Sequence, residues 1–163
     1  MNHTAFTVRA GSEADWAALG QAVADIQDFE REVVGDPLRP GSEVRQEYLA
    51  GLCERLRADD GVFLVAEAGG EIVGVLAGYV HEAGDRLVEA AFDRSAYISD
   101  LFVRSAWRRQ GVGAALVRAF EEIMRARGLR WMSVCVKSRN TIAHRAYRTY
   151  GFDDYEAILT KRL

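Results

Sequence analysis

Hydrophobic residues recur with two different periods along this chain of 163 residues. Apolar runs and apolar–polar alternation, both typical of strands, cover 6–10, 62–67, 71–80, 97–103, 131–136 and 155–161. Apolar residues spaced three and four apart, the period of an amphipathic helix, cover 16–30, 44–56, 111–127 and 140–150. The predicted order of elements is therefore β-α-α-β-β-β-α-β-α-β.

Turn-forming residues stand at the ends of these segments. Ser12 and Ser42 are suitable N-caps for the first two helices. Gly151 follows the last helix, where a glycine is the usual C-terminal residue. Gly69 and Gly70 form a turn between two strands, which predicts a hairpin.

The remaining connections complete the predicted fold. A loop is expected over 33–41, which holds both prolines, and a loop or a partly ordered insertion over 81–95, where no period is visible. Two strand–helix units follow the hairpin, and this arrangement predicts an α/β fold with a mixed sheet and helices on both of its faces. No segment has the composition of a linker, so a single domain over 1–163 is expected.

The composition excludes several protein classes. Hydrophobic residues make up 49% of the chain and charged residues 28%, as in globular proteins rather than disordered or fibrous ones. No run approaches the ~20 apolar residues of a membrane span, and the first ten residues do not resemble a signal peptide. Cys53 and Cys135 are too few for a zinc site or a disulfide scaffold. A cytoplasmic protein with no metal, no membrane contact and both thiols in the core is expected.

Charge is distributed unevenly along the chain. Residues 1–103 carry a net charge of −11, whereas residues 104–148 carry +9, within a total of −3. One interpretation is that the second part binds an anion while the first presents an acidic surface to a cation. The other is that these charges lie on solvated helix faces. The pI of about 5.7 and the acidic first part argue against a nucleic-acid partner.

A glycine-containing turn is the clearest candidate for chemistry. Residues 104–113, RSAWRRQGVG, leave a predicted strand and open a predicted helix. Glycine allows a ligand close to the backbone, and the unpaired N–H groups and dipole of a helix N-terminus favour a phosphate. The spacing excludes the GxxxxGK[ST] and GxGxxG phosphate loops. An ordinary tight turn remains the alternative at this point.

The turn resembles a signature of the GNAT N-acetyltransferase superfamily. Residues 108–113, RRQGVG, match the Q/R-x-x-G-x-G/A pattern that binds the pyrophosphate of acetyl-coenzyme A in that family. Further residues fit the family's later N-x-x-A-x-x-x-Y-x-x-x-G-F pattern, namely Asn140, Ala143, Tyr147, Gly151 and Phe152. The element order also resembles the GNAT fold. The resemblance implies transfer of an acetyl group from acetyl-coenzyme A to a primary amine of a small molecule or peptide by direct attack.

The resemblance also implies where the coenzyme binds. In that family the strand equivalent to 97–103 splays from the strand equivalent to 131–136, and the pantetheine arm lies in the cleft between them. Main-chain groups of Leu101 and Val103 would bond to pantetheine, and the turn would surround the pyrophosphate. The full set of implied coenzyme-binding residues is Leu101, Phe102, Val103, Arg108, Arg109, Gln110, Gly111, Val112, Gly113, Ala114, Asn140, Ala143 and Tyr147.

Tyr147 is the candidate acid. Asn140 and Tyr147 share one helix face, so a pantetheine contact and a phenol near the sulfur are compatible. A phenol, with a pKa near 10, stays protonated at neutral pH and can donate to the leaving thiolate. Tyr150 is a weaker candidate. The alternative for both is simple packing beneath the sheet.

The group that accepts the proton of the amine is less evident. Some similar enzymes, such as polyamine acetyltransferases, have a glutamate where this chain has Ser99. Strand alternation places Ser99 on one face, where it could hold a water, and Asp100 on the opposite face in a structural role. Glu30, Glu32 and Asp36 could attract a cationic amine, or could be solvated surface.

One further interpretation of the chain competes with the enzyme. A non-catalytic acyl-coenzyme A sensor would keep the glycine turn and lack a base at Ser99, whereas the presence of Tyr147 favours catalysis. Residues 27–44 and 81–95 would select the acceptor, and their sequence does not indicate which amine they bind. The resemblance also allows a homodimer, because dimers are common among similar proteins.

Overall fold

Five strands and five helices make up the part of the chain that this computed structural model describes, residues 5–35, 38–84, 87 and 89–161. In chain order they are β1 (Thr7–Ala10), α1 (Trp16–Val34), α2 (Gly41–Ala58), β2 (Val62–Ala68), β3 (Glu71–Glu82), α3 (Ala90–Asp93), β4 (Arg94–Val103), α4 (Val112–Ala126), β5 (Met132–Val134) and α5 (Thr141–Thr149). Short 3₁₀ turns, Glu13–Asp15 and Ser105–Trp107, precede α1 and follow β4. The predicted order is confirmed through α5, with one short additional helix before β4.

The strands form one mixed sheet in the order β1-β2-β3-β4-β5. Strands β1 to β4 are antiparallel neighbours, whereas β5 is parallel to β4. The chain passes from β4 to β5 through α4, the kind of crossover that parallel neighbours require. The predicted mixed sheet is thereby confirmed, and the end of β4 and the start of α4 lie at one edge of it.

Helices cover both faces of the sheet, as predicted. On one face, α1 and α2 pack against β2 and β3 through Leu19, Ala22, Leu52, Val65, Val75 and Ala77. On the other face, α4 packs its predicted apolar stripe on the sheet through Leu116, Val117, Phe120 and Met124. Full burial of a side chain as large as Phe120 or Leu116 stabilises the fold by about 1.5–3 kcal/mol.

An ion pair fixes the start of α1 to β1. The guanidinium of Arg9 donates to both carboxylate oxygens of Asp15, at 2.8 and 3.0 Å, and to Glu67 at 2.9 Å. The backbone N–H of Ser12 also donates to Asp15. These bonds, first of all those from Arg9, hold the pKa of the Asp15 carboxyl well below its usual range. Ser12 therefore caps the 3₁₀ turn rather than α1 itself.

The structure differs from the sequence-based prediction at the start of α2 and over 81–95. The second helix begins at Gly41, one residue before Ser42, because Asp28 of α1 accepts the Gly41 N–H at 2.7 Å. Over 81–95, expected as a loop or a partly ordered insertion, the described residues include the end of β3, the helix α3 and the start of β4. Strands β3 and β4 pair as far as Glu82 and Arg94, whose side chains form an ion pair at 2.8 Å. Polar residues at this end mark solvent exposure rather than the absence of a strand.

The predicted last strand, 155–161, is wrong for the described residues. The segment pairs with no strand, and Tyr155, Ile158 and Leu159 are exposed by 90%, 81% and 94%. Alternation predicts a strand only where a neighbouring edge accepts its hydrogen bonds and a core covers one face, and neither condition holds here. Strand β5 is also shorter than the predicted 131–136, and Cys135 beyond it is exposed rather than in the core.

Candidate active site

Strands β4 and β5 separate partway along the sheet. They pair at three positions, from Ala96 with Met132 to Ile98 with Val134, and β4 then continues alone on that side to Val103. The separation that the resemblance implies is confirmed. A gap therefore opens between the second half of β4 and the chain that follows β5.

The main chain of β4 faces this gap at two positions. The N–H of Arg104 donates to the carbonyl of Val73 on β3 at 2.9 Å. Because backbone polar groups alternate sides along a strand, those of Leu101 and Val103 point away from β3, toward the gap. The side chains of both residues pack against the core beneath α4, and the side chain of Phe102 packs on the opposite face. One acceptor is already occupied, since Arg108 Nε donates to the Val103 carbonyl at 3.0 Å.

The turn before α4 has an unusual backbone. Arg109 has a φ of 61° and Gly111 a φ of 85°, so two residues adopt the left-handed conformation within three positions. A side-chain bond from Gln110 to the carbonyl of Ala106, at 2.7 Å, closes the turn. Left-handed residues in such turns direct successive N–H groups toward one point, and a strained non-glycine residue is typical of functional sites.

The first amides of α4 are without acceptors in the helix. The first hydrogen bond of the helix runs from the N–H of Ala115 to the carbonyl of Gly111, at 2.9 Å. The N–H groups of Val112, Gly113 and Ala114 precede it and are therefore free to bind an anion. The Val112 side chain is buried in the core and fixes the start of the helix. At Gly113 a Cβ atom would lie 2.5 Å from the Tyr150 hydroxyl, so a larger residue there would displace the Tyr150 side chain.

The arginines near the turn have different neighbours. The guanidinium of Arg108 holds the last carbonyl of β4 and lies 6.0 Å from the ring of Phe29 on α1. The side chain of Arg104 pairs with Glu71 at 3.1 Å. The side chain of Arg109 is exposed on the turn. Binding of an anion by the main chain of the turn, by Arg108 and by Arg109 stays a prediction.

Helix α5 follows β5 and packs against the same core as α4 through Tyr147. Asn140 is buried, and its Oδ1 accepts the N–H of Ala143 at 3.1 Å, so the cap role of Asn140 is confirmed. One face of α5 carries Tyr147, whose ring packs edge-on against Tyr150 and Phe152 at centroid distances of 6.1 and 5.4 Å. Burial raises the pKa of the Tyr147 phenol well above its usual value. No side chain among the described residues is hydrogen-bonded to its hydroxyl.

A β-bulge in β4 changes the predicted orientation of Asp100. Ala77 of β3 pairs with Asp100 and the next residue, Gly78, pairs with Ile98, so Ser99 is left without a partner. The bulge interrupts the alternation, and Asp100 does not lie opposite Ser99 as predicted. Gly78 permits this irregularity because a Cβ atom there would lie 2.6 Å from both a backbone oxygen and a ring atom of the core.

Ser99 and Asp100 meet a third residue, Tyr48 of α2. The Ser99 hydroxyl donates to Oδ2 of Asp100 at 2.7 Å, and the Tyr48 hydroxyl donates to the same oxygen at 3.1 Å. The two hydroxyl oxygens are 3.3 Å apart. In the described part of the chain, Asp100 forms no ion pair. Its burial raises the pKa of the carboxyl above the ordinary value for aspartate, although both hydroxyl bonds oppose the shift.

A cavity of about 380 Å³ lies beside α2 on this side of the sheet, where Tyr48 meets β4. Tyr48 and Ser99 lie in its wall, together with Arg39, Glu47 and Arg55. The cavity therefore reaches the hydroxyl group that is bonded to Asp100. It lies on the face of the sheet that carries α1 and α2, whereas the gap opens at the β5 edge, so two different compartments meet at the bulge.

The predicted acidic residues before α2 contribute little that the structure describes. Glu30 is close enough to have a minor effect on the pKa of Asp100 and of Tyr147, after burial in both cases. Glu32 is exposed, and Asp36 lies outside the described residues. Attraction of an amine by these three carboxylates stays a prediction.

Sequence reasoning missed Tyr48 and assigned Asp100 to the wrong face. The sequence carries no signal for Tyr48, which has the spacing of an ordinary apolar position of α2. Asp100 had a signal, because an aspartate in an otherwise apolar strand needs hydrogen-bond partners when it is buried. The bulge itself depends on pairing with β3 and cannot be read from β4 alone.

No cluster of three or more His, Cys, Asp or Glu side chains among the described residues is suitable for a metal ion. None of the helices described has the length and apolarity needed to cross a membrane.

Comparison with known proteins relates this chain to one family. The model of the acetyltransferase (GNAT) family matches residues 23–152. An aminoglycoside N(6')-acetyltransferase type 1 from Stenotrophomonas maltophilia is 28% identical over 157 residues, which cover 96% of this chain and 92% of that protein.

Solved structures have the same fold. The structure of AAC(6')-Iy in complex with the bisubstrate analogue CoA-S-monomethyl-acetylneamine has a TM-score of 0.70 at 18% identity, with 98% of each chain covered. The structure of a predicted acetyltransferase from Clostridium acetobutylicum with acetyl-CoA has a TM-score of 0.73 at 15% identity, with 97% of this chain and 96% of that chain covered. At these identities the likeness concerns the fold.

Proposed function

Because the chain belongs to the GNAT acetyltransferase family, we propose that it transfers the acetyl group of acetyl-coenzyme A to a primary amine by direct attack. The observation that carries the proposal is the meeting of two compartments at the bulge of β4. The gap beside β4 leads from the free amides of α4 to the bulge, and the cavity beside α2 reaches the same place through Ser99. One compartment suits the acyl donor and the other suits the amine.

The donor side fits a diphosphate followed by a narrow, amide-containing arm. The N–H groups of 112–114, reinforced by the dipole of α4, suit the charge of a pyrophosphate. The main-chain groups of Leu101 and Val103 suit the amides of pantetheine, which would pair with β4 as an added strand does. The coenzyme supplies the acetyl group and a thiolate leaving group at the bulge.

The acceptor side fits a protonated amine. An alkylamine, with a pKa near 10.4, enters charged at neutral pH and must lose a proton before it attacks. Ser99 accepts that proton on Oγ while it passes its own to Oδ2 of Asp100. The raised pKa of the buried Asp100 carboxyl makes it a stronger base than an exposed aspartate. Asp100 then releases the proton to solvent after the reaction.

Tyr147 completes the proton balance. As the new N–C bond forms and the C–S bond breaks, the Tyr147 phenol donates its proton to the sulfur. The amine nitrogen, which still carries one proton too many, returns a proton to the phenolate. The high pKa of the Tyr147 phenol keeps it protonated at the start of each cycle.

The experiment that tests this function is a thiol-release assay with acetyl-coenzyme A and a panel of primary amines. Amine-dependent release of coenzyme A, with an acetylated product of the expected mass, supports the proposal. Tight binding of acetyl-coenzyme A without release for any amine would favour the acyl-coenzyme A sensor. The sensor was suggested by the absence of a glutamate at position 99, and the neighbouring carboxylate of Asp100 supplies an alternative base.

A further inference from the structure

The cavity beside α2 holds a positive charge at a distance from the reacting groups. Tyr48 and Ser99 form one part of its wall, and Arg55 forms another. Tyr48 and Arg55 both belong to α2 and are seven positions apart, which corresponds to about 10 Å along the helix. A molecule that fills the cavity therefore meets hydroxyl groups at one end and a guanidinium at the other.

The environment of Arg55 leaves its charge available. Its Nη1 donates to the hydroxyl of Tyr79 at 3.0 Å, and its guanidinium carbon lies 5.3 Å from the centre of the same ring. Arg55 is exposed and forms no ion pair with a carboxylate of the described residues; Asp59, one turn along α2, acts on it only at longer range. By contrast, Arg39 at the rim is paired with Glu43 and Glu47 at 3.7 and 3.4 Å. Tyr79 is buried and holds the side chain of Arg55 in place, but its hydroxyl group does not cancel the guanidinium charge as a carboxylate would.

We propose that Arg55 binds an anionic group of the acceptor, so that the acceptor is a primary amine with a carboxylate or a phosphate at its far end. The proposal rests on the function proposed above, because it places the amine at Ser99. The planar guanidinium can form two parallel hydrogen bonds to either anion. The same charge repels a second ammonium, so this cavity disfavours acceptors with several amines, whatever the acceptors of similar enzymes are.

Acceptors of equal length test whether the charge at the far end of the molecule, rather than its shape, determines how well it reacts. We would measure kcat/KM for 6-aminohexanoate, hexylamine and 1,6-diaminohexane, which differ only in the group at the far end, and for 5-aminopentyl phosphate. We expect 6-aminohexanoate or the phosphate to exceed hexylamine by about tenfold or more, the effect of one charge-assisted pair, and the diamine to be poorest. The ratio of carboxylate to phosphate identifies which anion the site prefers.

A pair of variants on one helix ties the preference to Arg55. In Arg55→Gln we expect the ratio of kcat/KM for 6-aminohexanoate over hexylamine to fall to about one. Arg57→Gln is the matched control, because Arg57 lies on the same helix but stacks on Trp16 at 4.6 Å, outside the cavity wall. Arg57→Gln should retain the ratio of the unmodified protein.

A binding measurement distinguishes failure of this inference from failure of the proposed function. Calorimetric titration of the protein saturated with coenzyme A should show tighter binding of 6-aminohexanoate than of hexylamine, and Arg55→Gln should remove the difference, even if no amine is acetylated. Three results would each overturn the inference. The first is equal binding and equal turnover of the three amines, and the second is a preference for the diamine or for an aminoglycoside. The third is a preference for 6-aminohexanoate that survives Arg55→Gln. Absence of turnover with this binding pattern intact would count against acetyl transfer alone.

Discussion

The Ser99 hydroxyl donates to Oδ2 of Asp100 at 2.7 Å, although the two residues are neighbours on one strand. In a regular strand adjacent side chains point to opposite faces and do not meet. The bulge brings them together and presents both to Tyr48 of α2. A buried carboxylate is thereby connected through one hydroxyl group to the wall of the cavity.

Asp100→Asn should lower kcat by about 10²-fold or more, because the proton of the amine loses its acceptor while the shape of the site is kept. Burial raises the pKa of Asp100, so the active, deprotonated form increases as the pH rises through that pKa. The acidic limb of the pH–kcat/KM profile due to Asp100 should therefore disappear in the variant. A variant with the kcat and pH profile of the parent would show that Asp100 is structural. Circular dichroism provides the control for folding.

Tyr147→Phe should lower kcat by about 10²-fold and leave the dissociation constant of acetyl-coenzyme A nearly unchanged, because the ring packing is kept and the proton for the sulfur is lost. The pKa of Tyr147 is raised, so the parent should show no loss of rate from its ionisation below about pH 10. Stopped-flow or steady-state thiol release measures the rate. Tyr150→Phe is the matched control, and an equal loss in both variants would remove the assignment to Tyr147.

Gly111→Asp should weaken coenzyme A binding by at least about tenfold, since it puts a negative charge beside the free amides of α4. Isothermal titration calorimetry measures the change. The substitution also strains a residue with a φ of 85°, and Gly128→Asp controls for that strain, because Gly128 has a φ of 83° at the opposite end of α4. If both variants bind equally well, the diphosphate does not lie at this turn.

Asp15→Asn should lower Tm by about 2–4 °C near pH 7, because it removes the carboxylate that Arg9 and Ser12 hold. The pKa of Asp15 is depressed in the folded protein, so its contribution is complete above the unfolded pKa of about 4 and is lost as the pH falls below it. The two melting curves should therefore converge in acid. Glu67→Gln removes the more exposed partner of Arg9 and should have a smaller effect, which differential scanning calorimetry can compare directly.

The fold was predictable where local pattern and tertiary packing agree. Helix α4 has an apolar stripe that matches its buried face, and the glycine turn before it is visible from sequence alone. The segment 155–161 has the alternation of a strand but no partner in the described chain, so the local pattern was misleading. Pairing is a property of two segments, and one segment does not specify it.

The candidate site divides in the same way. Gly111, Asn140 and Tyr147 belong to local motifs, which the sequence alone makes visible. Tyr48 and Arg55 belong to no motif, because their place depends on how α2 packs over the sheet. The position of Asp100 depends on the register between β3 and β4. Acceptor recognition was therefore the least predictable part of the molecule.

The amides at positions 112–114 belong to the backbone, which every residue except proline supplies equally. Binding of acetyl-coenzyme A by such backbone groups would tolerate changes in the sequence, provided that the turn keeps its conformation. The wall of the cavity beside α2 consists instead of side chains, most of them on one helix, and a single codon change can replace each of them. New acceptors can thus evolve through α2 while the donor apparatus is inherited intact.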